Sequence, residues 1–201
     1  MFVKRLFDIV FAFFGLILLT PIFILIAIII KLTSKGPIFF KQERVGLNGK
    51  FFKIYKFRTM VQNAETIGLK ITVASDTRIT GIGRFLRNTK LDELPQLINV
   101  LIGEMSLVGP RPEVIEYVKL YPENIRKVVL SVKPGITDWA SINMINENEL
   151  LANEIDVHKA YVEKILPIKL DFAVFYINNR SFYQDIKILW LTLVKLFMSN
   201  K

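Results

Sequence analysis

The chain has 201 residues, a formal net charge of +9 and a hydrophobic fraction of 52%. It has no cysteine, which excludes disulfides, thiolate metal sites and a thiol nucleophile, and its single His158 excludes a multi-histidine metal centre. The chemistry left is that of carboxylates, Lys and Arg, on a basic chain that calls for an anionic partner.

From Ile9 to Ile30 no residue is charged. As a straight helix this run spans about 33 Å, enough to cross a hydrocarbon core. Thr20-Pro21 lies in its middle. Pro21 offers no N–H to the Ile17 carbonyl and crowds that turn, so a kink is predicted, with the Thr20 hydroxyl satisfying part of the freed backbone. Lys4 and Arg5 precede the run, and Lys31 and Lys35 follow it. The preference of basic flanks for the cytoplasmic side then draws both ends to one face. A simple span and a re-entrant helix–break–helix hairpin both satisfy the pattern. Asp8 reads as an interfacial acid paired with Lys4 or Arg5.

Lys35-Gly36-Pro37 closes this segment, dividing the chain into a membrane unit, 1–35, and a polar unit, 36–201. Ile38–Gln42 and Phe51–Phe57 read as strands joined through Gly46 and Asn48-Gly49 into a hairpin. Residues 61–75 read as a loop, and Ile79–Leu86 has helical spacing. Thr89 is a candidate N-cap for a helix that Pro95 starts or kinks, that buries Leu97, Ile98 and Leu101, and that Gly103 ends. Pro110 and Pro112 predict an extended stretch, Val114–Leu120 a short helix, and Pro134-Gly135 a turn. Residues 147–165 read as a charged helix stopped by Pro167. Ile186–Met198 reads as core or as an interfacial helix, and the apolar first segment favours the interface. The fold class predicted is α+β, mostly α.

Asp92 and Glu93 are adjacent, so on a helix they point about 100° apart and cannot share a proton. They suit two jobs. A carboxylate near a helix N-terminus stays ionised, as a nucleophile or metal ligand requires. An Asp-Glu pair is more often a cap and a solvated acid. Arg111, between Pro110 and Pro112, is a rigidly placed guanidinium suited to a phosphate or to a salt bridge with Glu116. Alternation puts Lys56 and Arg58 on one face of the second strand. Between Lys35 and Arg58 seven basic residues and one acid, Glu43, interleave with aromatics. That pattern fits a single-stranded nucleic-acid platform or a membrane-facing basic belt, and the adjacent apolar segment favours the belt.

Five motifs then appear in order: Lys56-Phe57-Arg58-Thr59-Met60, Ile82-Gly83-Arg84-Phe85-Leu86-Arg87, Leu91-Asp92-Glu93-Leu94-Pro95-Gln96-Leu97, Met105-Ser106-Leu107-Val108-Gly109-Pro110-Arg111-Pro112 and Lys133-Pro134-Gly135-Ile136-Thr137. Together they resemble the bacterial sugar transferases, the monotopic phosphoglycosyl transferases, over nearly the whole chain and at the size of the minimal catalytic domain. The resemblance implies transfer of a sugar-1-phosphate from a nucleotide sugar, usually a UDP-sugar, to undecaprenyl phosphate, with Mg²⁺ required and UMP released. It implies that Asp92 is the nucleophile on the β-phosphorus and that Glu93 assists with metal or protons, the two acids serving as metal ligands. Arg87 and Arg111, and more weakly Lys56 and Arg58, are implied phosphate holders. Thr20-Pro21 matches the family's Ser-Pro break, which selects the re-entrant hairpin and interfacial amphipathic helices, on the cytoplasmic face of the bacterial inner membrane beside anionic lipids. Nucleic acid is not expected; a second copy of the chain and other glycan-pathway enzymes are the candidate protein partners.

Two departures stand out. Pro-Gly-Ile-Thr is followed by Asp138-Trp139-Ala140-Ser141-Ile142-Asn143-Met144-Ile145, not the family's usual continuation. Tyr176-Ile177-Asn178-Asn179-Arg180-Ser181 and Asp185 match, but Ala173 stands where an acid is usual, with Asp171 out of step. These departures motivate an inactive scaffold as the alternative, beside an anionic-lipid or nucleic-acid binding module.

Overall fold

The computed structural model describes residues 2–64, 76–144, 150–151 and 154–198. Most of the predicted 61–75 loop, and part of the predicted 147–165 helix, lie outside these residues. Helix α1 (Phe2–Thr33) is the apolar run extended at both ends, and it is long and apolar enough to cross a membrane. It continues through Pro21, where the sequence predicts a break. One lost donor does not end a helix that is bonded on both sides, and the Thr20 hydroxyl donates to the Leu16 carbonyl at 2.7 Å. Much of its surface is bare and apolar, with Phe14, Leu18, Leu25 and Leu32 exposed.

Both ends of α1 are tied to the rest of the protein. Arg5 donates to the Val100 and Leu101 carbonyls at 2.7 and 3.1 Å. Asp8 is buried and accepts from the Ser106 hydroxyl at 2.8 Å and the Leu107 amide at 3.1 Å. Its partners are thus not Lys4 or Arg5: a buried carboxylate needs nearby donors, and the tertiary fold supplies them. At the other end Arg58 donates to the Ser34 carbonyl and hydroxyl at 2.8 and 2.7 Å.

Strands β1 (Phe39–Val45) and β2 (Phe51–Phe57) form the predicted antiparallel hairpin, in register from Phe39 opposite Phe57 to Val45 opposite Phe51. Asn48 and Gly49 take the left-handed conformations of its turn. Helix α2 (Gly81–Asn88) is capped by Thr80, whose hydroxyl accepts from the Gly83 amide at 3.0 Å. Thr89, predicted to open the next helix, closes this one: its hydroxyl donates back to the Phe85 carbonyl at 2.9 Å. Lys90 then turns left-handed, so Leu91–Glu93 is a 3₁₀ turn and α3 (Gln96–Ile102) begins only after Pro95. Gly103 ends α3, as predicted, at φ +94°.

Strands β3 (Ser106–Val108) and β4 (Gly135–Thr137) pair in parallel. Pro134-Gly135 therefore opens a strand and is not a turn. Gly135 is needed for close approach, since a Cβ there would overlap the backbone of Gly109. Short helices α4 (Ile115–Val118), α5 (Glu123–Val129) and α6 (Trp139–Asn143) surround this pair in sequence. Helix α7 (Val157–Ala160) passes through a π-turn, Tyr161–Ile165, into α8 (Leu166–Asn178), and α9 (Phe182–Met198) follows. Pro167 does not stop the helical run. It sits in the first turn of α8, where its missing N–H is tolerated, and the wider π-turn precedes it.

Among the described residues the core has three clusters. Tyr117, Val118, Tyr161 and Leu170 centre one; Phe52, Val100, Met105 and Ile188 centre a second, which also takes Ala12 of α1. Ile26, Ile30, Phe57 and Leu86 form the third, so α1 contributes to two of them. Helix α9 buries Ile188 and exposes Tyr183, Trp190 and Leu193, so it carries large apolar side chains on its outer face as well as its inner one.

Candidate active site

The left-handed Lys90 and the 3₁₀ turn after it send Asp92 and Glu93 in different directions, about 120° apart. Glu93 turns toward β2 and toward the Pro110–Pro112 segment. It accepts from Lys56 Nζ at 2.8 Å. It also takes both arms of Arg111, with Nη1 at 3.1 Å from Oε2 and Nη2 paired with Oε1. Arg111 thus pairs with Glu93 and not with Glu116. Its backbone is fixed as well: its amide donates to Asp138 Oδ2 at 3.1 Å, while Asp138 Oδ1 caps α6 by accepting from Ser141 at 2.7 Å. Asp138 was missed as a site residue, although an Asp directly before a helix is a cap signal in the sequence.

Burial works to raise the Glu93 carboxyl, but Arg111 and Lys56 overcome it and hold the group well below the usual carboxylate range. Burial lowers Lys56, and the Glu93 carboxylate opposes that shift. The Arg111 guanidinium is raised, mainly by Glu93.

Asp92 is buried, and among the described residues no hydrogen bond reaches its carboxylate. Burial pushes its pKa up, against the pull of Lys56, Arg87 and Lys90. The predicted help from a helix N-terminus is absent, because Asp92 precedes Pro95 on a 3₁₀ turn; neighbouring cations favour its ionised form instead.

Arg87 is carried by α2 into the field of Asp92, and its Nε donates to the Thr59 hydroxyl at 2.8 Å. Strand β2 ends at Phe57, the Arg58 amide still donates to the Ile38 carbonyl at 2.9 Å, and the Arg58 guanidinium reaches Ser34 at the end of α1, with Nε and Nη1 buried without a partner among the described residues.

Asp92, Glu93, Lys56, Arg58, Arg87 and Arg111 line one cleft of about 1840 Å³. Phe11, Gly15 and Leu19 of α1 and Leu193 of α9 line it too, so cationic and membrane-grade apolar walls meet around the two acids. Ala173 faces this cleft, as do Ser141, Ile142 and Met144, while Asp171 is exposed on α8. Both departures from the resembled family's pattern therefore fall on the cleft wall.

The chain belongs to the bacterial sugar transferase family, whose sequence model matches residues 1–199. It is 42% identical over 200 residues to a Bacillus subtilis (strain 168) protein named "Uncharacterized sugar transferase EpsL", covering 100% of this chain and 90% of that one. It is 42% identical over 201 residues to the UDP-glucose:undecaprenyl-phosphate glucose-1-phosphate transferase of Escherichia coli (strain K12), covering 98% of this chain and 40% of that protein. It is 37% identical over 194 residues to the UDP-N-acetylgalactosamine-undecaprenyl-phosphate N-acetylgalactosaminephosphotransferase of Aeromonas hydrophila, covering 96% of this chain and 43% of that protein. The chain thus spans less than half the length of these last two relatives.

Proposed function

We propose that this protein is a phosphoglycosyl transferase. It moves a sugar-1-phosphate from a UDP-sugar to undecaprenyl phosphate, the first step of a surface or secreted glycan. The observation that carries the reading is Asp92: a buried residue whose carboxylate takes no hydrogen bond among the described residues, in a cation-lined cleft that the membrane-grade helix also walls. Asp92 Oδ attacks the phosphorus bonded to the sugar. The bond from that phosphorus to the bridging oxygen breaks, and UMP leaves with the oxygen. A phosphate oxygen of the lipid then attacks the same phosphorus, and the aspartyl bond breaks to restore the carboxylate. Splitting the transfer this way lets a soluble and a lipid substrate use the cleft in turn. Arg111, oriented by Glu93 and Asp138, and Arg87, facing Asp92, stabilise charge on the phosphoryl oxygens.

The donor set fits an ion that arrives with the substrate. Among the described residues no three acids or histidines converge, and both Glu93 oxygens are already engaged by Lys56 and Arg111. Mg²⁺ is commonly bound by one or two carboxylates plus substrate phosphates, and Asp92 supplies such a carboxylate. When bound, Mg²⁺ would neutralise charge on the diphosphate. The test is UMP release by the purified chain in lipid vesicles with undecaprenyl phosphate, Mg²⁺ and a panel of UDP-sugars. Release that needs both lipid phosphate and Mg²⁺ is expected. No release from any donor would turn the reading toward a scaffold.

The same proposal makes α1 re-entrant, entering and leaving the cytoplasmic leaflet of the inner membrane. Its support is that Arg5 and Asp8 near the start, and Ser34 just past the end, bond to one folded domain. The chain has no cysteine, so Phe2→Cys and Lys35→Cys each give a single thiol at an exposed position. Both are expected to react with a membrane-impermeant maleimide in inside-out vesicles. Labelling of only one would establish a span.

A further inference from the structure

Away from the acids, four elements meet at one backbone carbonyl. Val108, the last residue of β3, accepts from Lys4 Nζ of α1 at 3.0 Å and from the Tyr176 hydroxyl of α8 at 3.3 Å. Both donors also bind Asp185 of α9: Lys4 to Oδ2 at 2.7 Å and Tyr176 to Oδ1 at 2.6 Å. Tyr176 and Asp185 are 3% and 4% exposed, so the two Tyr176 bonds are buried, while the Lys4 bonds are half-buried, the Lys4 side chain being 26% exposed. A buried ion pair is a poor source of net stability compared with apolar packing, because desolvation offsets most of the attraction. What it supplies here is direction, since both carboxylate oxygens and both donors are committed to one geometry.

That geometry is passed along the chain. Beyond Val108, the Gly109 amide donates to Thr137 at 3.1 Å, the Gly135 amide donates to Pro110 at 3.0 Å, and the Arg111 amide donates to Asp138 at 3.1 Å. Asp8, one turn after Lys4, holds the start of the same strand at Ser106 and Leu107. The first turns of the membrane helix therefore grip β3 along its length, and β3 runs straight into the arm that carries Arg111.

We propose that Lys4, Tyr176 and Asp185 are positioning residues for the transferase: through Val108 they fix the β3 arm, so that Arg111 meets Glu93 only when the first turn of α1 is seated. The proposal rests on the transferase reading for its kinetic part. Its structural part stands separately, because the knot predicts which backbone it orders whatever the chemistry.

The test uses the full chain in vesicles containing undecaprenyl phosphate. Tyr176→Phe removes one hydroxyl and keeps the ring. Lys4→Met removes the charge, and Lys4→Arg keeps it. Amide exchange over Leu107–Arg111 and steady-state kinetics are read together. Exchange of that arm is expected to quicken by about ten-fold or more in Tyr176→Phe and Lys4→Met. Turnover, kcat, is expected to fall by about ten-fold with the KM for the lipid phosphate unchanged. Lys4→Arg is expected to restore kcat to within about two-fold. A folded Tyr176→Phe with wild-type exchange in the arm overturns the proposal, as does a loss of kcat that is equal in Lys4→Met and Lys4→Arg. If the wild-type chain releases no UMP, the transferase reading fails. The exchange data then decide the positioning role alone: a quickened arm upholds it and an unchanged arm ends it.

Discussion

Asp92→Asn is expected to remove UMP release, by on the order of 10⁴-fold or more, while leaving the fold at least as stable. The two halves of this result have one cause. The Asp92 carboxylate is buried, and burial raises its pKa, so its ionised form is disfavoured in the folded state. Lys56, Arg87 and Lys90 offset part of that cost, but among the described residues no hydrogen bond does. Asn has the same shape and no charge to desolvate. Thermal unfolding of the variant should therefore shift by less than about 1 kcal/mol, or shift upward. A residue kept against stability in a cleft is what a nucleophile looks like. Retention of even a tenth of the wild-type rate would remove Asp92 from that role. Loss of the fold would mean that its charge is structural.

Local chemistry was legible in the sequence and tertiary partnership was not. The β-hairpin announced itself through Asn48-Gly49, and Gly103 marked a helix end, because left-handed turns depend on the residue occupying them. Asp92, Glu93, Lys56, Arg87 and Arg111 were marked by motif, and they line one cleft. What failed depended on contacts far along the chain. Asp8 found Ser106, and Lys4 found Asp185, across separations that no spacing rule reads. Arg58 lines the cleft with the other motif residues, but its guanidinium also reaches Ser34 at the end of α1, a contact that no spacing rule reads. Thr89 and Pro167 carry signals that fit either side of a helix boundary: a threonine hydroxyl closes α2 as readily as it would open a helix, and a proline is tolerated in a first turn. Strands β3 and β4 have three residues each, too few for any periodicity, and their pairing depends on Gly109 and Gly135 lying backbone to backbone.

Glu93→Gln should have the opposite character from Asp92→Asn and lose both stability and turnover. Glu93 lies between Lys56 and Arg111, all three largely buried. Removing its charge strands two cations in one low-dielectric pocket, and breaking a buried pair this way costs about 3 kcal/mol or more. The pH dependence gives the sign. The folded-state pKa of Glu93 is depressed, so its contribution is complete above the ordinary 4.5 and is lost as the pH falls through the lower folded value. The stability gap between wild type and Glu93→Gln should thus be full at neutral pH and close in acid, where the wild-type residue is itself neutral. Unfolding measured in detergent at both pH values checks this. Adding Lys56→Met to Glu93→Gln should recover part of the loss, since one stranded charge goes. Turnover should not return with it, because Arg111 has still lost the carboxylate that orients its guanidinium toward the cleft. A Glu93→Gln protein as stable as wild type at neutral pH would mean that the Glu93–Arg111 fork does not hold the cleft together, and the orientation of Arg111 would then rest on Asp138 and the two prolines alone.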